Sequence, residues 1–248
     1  MPDSNVIAPP RARLPHVWGL LSATFFDPGY EHIVELVHQR DAEARRHLES
    51  LELSLYDPTG GLLRQVDVDV ADETLDLGAV VGAKAGPETR VMVTFDARYD
   101  ERIFPYRPHH YAYLRRLGAT SPPLYYAVSS ALGGVPNRIA ASRTNHFETY
   151  LFLRRPLQER YSVLIGNLAR FAPADVQVST YHGEARTVTE LTLPPKGHAE
   201  VPLAAEHAGR RLERVEVKAP FRLASYVVAR RSDSGDLVLF DHLFTYFK

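Results

Sequence analysis

Apolar and polar positions alternate with a period of two along most of the chain. The alternation is clearest in LELSLY (51–56), QVDVDV (65–70), TRVMVTF (89–95), ETYLFL (148–153), YSVLI (161–165), DVQVSTY (175–181), RVEVKA (214–219), RLASYVVAR (222–230) and DLVLF (236–240). Successive side chains of a strand point to opposite faces, so these runs predict β-strands, most of them half buried. Turn chemistry separates them, as in Asp57-Pro58-Thr59-Gly60-Gly61, His182-Gly183-Glu184, Pro194-Pro195-Lys196-Gly197 and Asp233-Ser234-Gly235-Asp236. Short strands recurring every 8 to 15 residues or so belong to an antiparallel sandwich or barrel. The one helical candidate is 40–50, where charged residues surround little beyond Ala and Leu48; it reads equally as a long hairpin tip.

The chain also resembles itself. HVWGLLSATFFDPGYEHIVELVH (16–38) aligns with HFETYLFLRRPLQERYSVLIGN (146–167), pairing His16 with His146. LELSLYD aligns with VQVSTYH, placing Tyr56 opposite Tyr181, and PHHYAYLRR (108–116) overlays DHLFTYFK (241–248), pairing His109 with His242. Matches in one order at nearly constant offset point to an internal duplication. The expected organisation is therefore all-β: a flexible N-terminus (1–13), one antiparallel β-sandwich domain (14–118), a packed linker (119–141) and a second sandwich (142–248). The linker carries Leu124, Tyr125, Tyr126, Val128 and Leu132, too apolar for a free tether. The first copy has 11 basic and 17 acidic residues (net −6) and the second 15 and 12 (net +3), which favours docking of one on the other.

Composition narrows the function. With 29 Lys+Arg against 30 Asp+Glu there is no field to attract nucleic acid. Zero cysteines exclude disulfides, thiolate nucleophiles and zinc fingers. The opening MPDSNVIAPPRARLPH lacks an apolar signal core, and no run approaches the roughly 18 uncharged residues of a membrane span, so a cytoplasmic protein with no membrane insertion is expected.

The second copy has a further pattern: a strand ending at Asn167, the hairpin strand VQVSTYHGEA, the segment LTLPPKGHAEVPL, then VEVKAPFRLASYVVARR and a closing strand. This order resembles the small all-β sensory rhodopsin transducer family over roughly 146–248, and more weakly over the first copy. The resemblance implies a compact bacterial sandwich that works through association and not through catalysis. A tandem copy departs from that family, and no functional residue carries over.

Of the candidate chemistry, the 11 histidines come first. Their spacing fits no metalloprotease, cupin or deaminase motif, and the ordinary reading is of strand-ending imidazoles bonded to Tyr113 or Tyr246. Ser129-Ser130 lacks a nucleophile elbow, Asp67 and Asp69 read as a solvated sheet face, and no glycine loop has the lysine of a phosphate cradle. The aromatic run IFPYRPHHYAY (103–113) is special to the first copy. With the linker it gathers flat faces and amide or guanidinium donors of the kind that hold sugars. Tyr106, Arg107, His109, Tyr125, Tyr126, Asn137, Arg138 and His146 are accordingly expected to line one cleft at the domain junction. The function expected is non-catalytic binding of a small polar, carbohydrate-like ligand or a protein partner, with no cofactor or metal and with room for a homo-oligomer. The alternative is a histidine-dependent enzyme, with the imidazoles acting as acid-base groups or as metal ligands, using His16 with His109 or His146 with His242.

Overall fold

The structure is a computed structural model and describes residues 18–36, 42–69, 72–81, 90–100, 110–119, 122–132, 145–150, 158–220 and 222–247. In the first half, the expected alternation becomes β1 (Trp18–Phe26), β2 (Tyr30–Glu35), β3 (Leu48–Tyr56), β4 (Leu62–Asp67), β5 (Thr74–Asp76), β6 (Val91–Tyr99), β7 (Tyr111–Arg116), β8 (Leu124–Ala127) and β9 (Ser129–Leu132). Two antiparallel sheets result, ordered β4-β3-β6-β1-β9 and β5-β2-β7-β8. Their inner faces meet through Leu53 and Phe95 on one side and Val34, Ala112 and Leu114 on the other, all buried in one core. The helical candidate is confined to α1 (Ala42–His47), which passes directly into β3, and a second short helix, α2 (Leu77–Val81), follows β5.

The second half contains β10 (Asn145–Tyr150), β11 (Glu159–Asn167), β12 (Ala174–His182), β13 (Ala185–Leu193), β14 (His198–Leu203), β15 (Glu206–His207), β16 (Arg210–Arg211), β17 (Arg214–Ala219), β18 (Leu223–Arg231), β19 (Leu237–His242) and β20 (Phe244–Phe247). Its sheets are ordered β13-β12-β17-β10-β20 and β14-β11-β18-β19, with β15 and β16 a separate small hairpin. Without that hairpin, β1 to β9 map in chain order onto β10 to β14 and β17 to β20, and both sheet orders then coincide.

The register coincides as well. Ser54 lies between Gln65 and Thr94, and Ser179 lies between Val188 and Glu216, so Tyr56 and Tyr181 occupy matching places as the sequence comparison expects. Two other pairings do not match. The ladders place Leu21 opposite Asp96 and His146 opposite Lys218, so His146 corresponds to Leu21, not to His16, which lies outside the described residues. Strand β7 sits inside a four-stranded sheet, whereas β20 is an edge strand corresponding to β9; 108–116 and 241–248 are not equivalent. The segment expected as a linker supplies β8 and β9 to the first pair of sheets. Between its Pro-Pro and Gly-Gly pairs lie these two strands, each at the edge of its sheet.

The centre of the sheet β14-β11-β18-β19 is covered on both faces. Along β11 and β18 nearly every residue is buried, in place of the alternation seen in β2. Val163, Ile165 and Val227 face the second sandwich's own core, while Leu164, Tyr226 and Val228 join the first half's core. Runs such as YSVLI and LASYVVA are apolar without a break because water reaches neither side. At this junction Phe25, Tyr126, Tyr226 and Phe240 pack ring against ring at 4.7–5.9 Å. The Tyr226 hydroxyl donates to the Ala23 carbonyl at 2.6 Å and accepts the Ser129 amide at 2.6 Å, bridging β1 and β9. No helix among the described residues is long and apolar enough to cross a membrane.

Candidate functional site

The outer face of β4-β3-β6-β1-β9 changes character along its length. At one end Phe25 and Met92 press on Gly166, where even a Cβ would meet the Met92 sulfur at 2.4 Å. Toward the other end the same face presents Glu52, Ser54, Tyr56, Gln65, Thr94, Asp96 and Arg98, the outward residues of alternating strands. Such a face is normally solvated. Here the second half lays two turns over it, and a groove of about 430 Å³ remains between them, roofed by Arg170, Pro195 and Lys196.

One side chain organises the roof. Asn167, fully buried at the end of β11, donates through Nδ2 to the carbonyls of Ala172, Leu193 and Pro194 at 2.9–3.3 Å. Its Oδ1 accepts the Ala169 amide at 3.0 Å. The turns carrying Arg170 and Lys196 are thereby tied to each other, and the Lys196 amide closes the joint by donating to Ala169 O at 3.2 Å. Below, the turn 57–61 is held by Asp57, whose Oδ1 accepts the Thr59 amide, the Thr59 hydroxyl and the Gly61 amide at 2.7–2.9 Å. The Thr59 hydrogen bond, with the two amides, keeps that carboxyl below its ordinary range. The two turns interlock so closely that a Cβ on Gly60 would meet the Pro195 carbonyl oxygen at 2.0 Å. One on Gly197 would meet the Pro194 ring at 2.5 Å and the Pro58 carbonyl at 3.0 Å, so glycine is required on both sides.

Inside the groove most polar groups are satisfied. Glu52 accepts Gln65 Nε2 at 2.6 Å and the Ser54 hydroxyl at 3.3 Å; Arg170 donates to Asp96 at 3.0 Å; the Thr94 hydroxyl donates to Ser54 O at 3.5 Å. Lys196 differs. It is only 8 % exposed, and its Nζ stands 5.4 Å from the centre of the Tyr56 ring. Among the described residues that ammonium has neither a carboxylate partner nor a hydrogen-bond acceptor. Burial, reinforced by Arg170 and opposed by Asp96 and Glu52, lowers its pKa to about 8. Its backbone has φ 60°, the left-handed region that side chains rarely adopt.

The corresponding face of the second half carries Gln177, Ser179, Tyr181, Glu216 and Lys218. There Glu216, 4 % exposed, accepts the Tyr181 hydroxyl at 2.8 Å, and the Arg214 guanidinium lies 3.8 Å over the Tyr181 ring. Ser-x-Tyr on this face is thus common to both halves, but the groove is described only on the first. A smaller cavity of about 210 Å³ lies between β13 and β14 beside His182 and His207. His182 Nε2 donates to the Ala204 carbonyl at 2.9 Å, so that ring nitrogen carries a proton.

Of the residues expected to share a cleft, Tyr106, Arg107, His109, Asn137 and Arg138 lie outside the described residues. Tyr125 and Tyr126 are adjacent on β8 and point to opposite faces. Tyr125 is 49 % exposed, stacked on Tyr111 at 5.3 Å. Tyr126 is in the core, its hydroxyl bonded to Thr24 Oγ1 at 2.5 Å and His32 Nε2 at 2.7 Å. His146 is on β10 opposite Tyr246, whereas His242 is on β19 in the other sheet of that sandwich. No group of three His, Asp or Glu among the described residues is placed to hold a metal ion. Sequence reasoning did not single out Glu52, Asp96, Arg170 or Lys196. The signals available were the Ser-x-Tyr shared by LELSLY and VQVSTY and a lysine set inside a Pro-Pro-x-Gly turn.

No protein-family model matches the chain, and no curated protein matches it. Among solved structures, the crystal structure of Thermotoga maritima 1070 is similar at 13% identity and a TM-score of 0.29, over 44% of this chain and 94% of that one.

Proposed function

We propose that this chain is a non-catalytic binding protein that takes a small polar ligand in the groove between its two halves. The observation that carries the reading is the roof: a polar sheet face that would ordinarily be open to water is partly covered by two turns of the other half, held by Asn167. Hydrogen-bond donors and acceptors and charges of both signs line a half-open space of ligand size, and junctions between units favour such sites. In the same reading the two halves are a tandem duplication, supported by their common strand order and register, in which the second copy has become the lid of the first.

Titration calorimetry of the full chain against a panel of neutral polyols, aldoses and their sugar acids tests the proposal. At least one class should bind, and Arg170→Ala and Glu52→Gln should each weaken it about tenfold, some 1.4 kcal/mol. Binding that both variants leave unchanged, or a panel without any binder, would overturn it.

A further inference from the structure

The lining of the groove carries three cations, Arg98, Arg170 and Lys196, against two carboxylates, Glu52 and Asp96. Arg170 is matched to Asp96, and Glu52 is held by the neutral donors Gln65 and Ser54. What remains is the Arg98 guanidinium, on an exposed residue, and the Lys196 ammonium, which on a largely buried residue makes no ion pair of its own and stands over the Tyr56 ring at the wall of a half-open polar groove. Taking a charge out of water without a partner is costly. The residue is also in a backbone conformation suited to glycine, and the turn already has glycine one position later. Neither burial nor turn geometry calls for lysine at position 196.

The composition makes the choice sharper. Only four of the 29 basic residues are lysines, Lys84, Lys196, Lys218 and Lys248; the other 25 are arginines. Across the junction this chain makes its ion pairs with arginine, as in Arg90 with Glu200 and Arg230 with Asp27. A lysine presents a compact point charge and loses its proton more readily than arginine does. Strain and an unmatched charge in one buried residue are features that surrounding structure tolerates where a ligand completes the site.

We infer that the ligand is a small polyhydroxylated monocarboxylate, its carboxylate seated on the Lys196 ammonium and its hydroxyls directed at Glu52, Gln65 and Ser54. This rests on the groove being the ligand site. The excess of one positive charge suits a monoanion, and Glu52 and Asp96 would oppose a second negative charge. Asp96, Glu52, Arg98 and Arg170 are the charged groups facing Lys196, with the Tyr56 phenol beneath it.

Having four lysines permits a direct test. In protein labelled with ¹³C-lysine, the Cε–Hε signal of Lys196 is the one missing from Lys196→Met, and D-gluconate and its uncharged analogue glucitol serve as probes. Gluconate should move that signal alone and shift its titration upward by a pH unit or more, with glucitol inert. Lys196→Met, which should fold and melt higher than the parent, should bind gluconate at least tenfold more weakly, and Lys196→Arg should retain part of the affinity. Equal binding of glucitol and gluconate, unchanged in Lys196→Met, would overturn the acid seat while leaving the groove as a polyol site. A Lys196 signal that neither gluconate nor acetate moves would also overturn it, and the variants at Arg170 and Glu52 then decide the groove separately.

Discussion

His32 and His198 are buried imidazoles held neutral by their surroundings. His32 is bonded to the Tyr126 hydroxyl and stacked on Phe26, and burial lowers its pKa to about 3. His198 meets the Arg90 carbonyl at 3.2 Å and the Phe25 ring at 5.5 Å; burial, against that hydrogen bond, lowers it to about 4. In the unfolded chain both titrate near 6.5, so below that pH the unfolded state takes up protons that the folded state refuses. Stability is full above about pH 6.5 and falls by about 1.4 kcal/mol per pH unit for each imidazole, until about pH 4 for His198 and about 3 for His32. Urea unfolding followed from pH 7.5 to 4.5 should show this acid limb, and His32→Gln should remove close to half its slope. An unchanged slope in that variant would show that His32 does not carry the effect. These positions illustrate how histidines read in sequence: His32 and His198 drew no attention, while His109 and His146 did. Burial on an inward strand face, which decides titration, is invisible until the register is known.

Among the elements, the strands legible from alternation were those with apolar side chains on one face and polar side chains on the other. β12 and β17 are predicted almost to the residue, since Val176, Val178, Val215 and Val217 mark the inward face. The edge pair β8 and β9 was missed because proline and glycine stand at both ends of LYYAVSSAL, the local chemistry of a loop. The groove was not legible for a related reason. Its floor is the polar side of alternating strands, which reads as solvent-facing whether or not a lid covers it. The lid depends on Asn167, whose one amide ties three carbonyls and one amide across two turns. Asn167→Ala should cost about 3 kcal/mol, because several buried backbone groups lose their partner together. Calorimetric melting checks the magnitude; a loss below about 0.5 kcal/mol would mean that the turns hold themselves.

In the whole molecule, the halves are joined less by their opposite net charge than the sequence suggests. The ion pairs across the junction run both ways: Asp27 and Asp96 of the first half meet Arg230 and Arg170, while Arg90 and Arg116 meet Glu200 and Asp236. Local matching accounts for these pairs. The centre of the joint is aromatic, with Tyr226 reaching from the second half into the β1–β9 ladder of the first. Tyr226→Phe removes both hydrogen bonds of that hydroxyl and should cost about 2 kcal/mol. The sole tryptophan, Trp18, is on β1, so its fluorescence should report the loss in the first half although the change is in the second. A tryptophan transition that stays in place while the overall melting shifts would mean that the halves unfold independently.

The position of Tyr226 also bears on how the protein comes into being. Chains leave the ribosome N-terminus first, at about 5 to 20 residues per second. Ser129 precedes Tyr226 by 97 residues and Ala23 precedes it by 203. For roughly 5 to 20 seconds after Ser129 is made, the joint between β1 and β9 therefore lacks its bridging hydroxyl, and the polar face that becomes the groove has no roof. The nascent first half must wait, with a sheet edge and an aromatic surface uncovered, for a partner that is still being synthesised on the same chain.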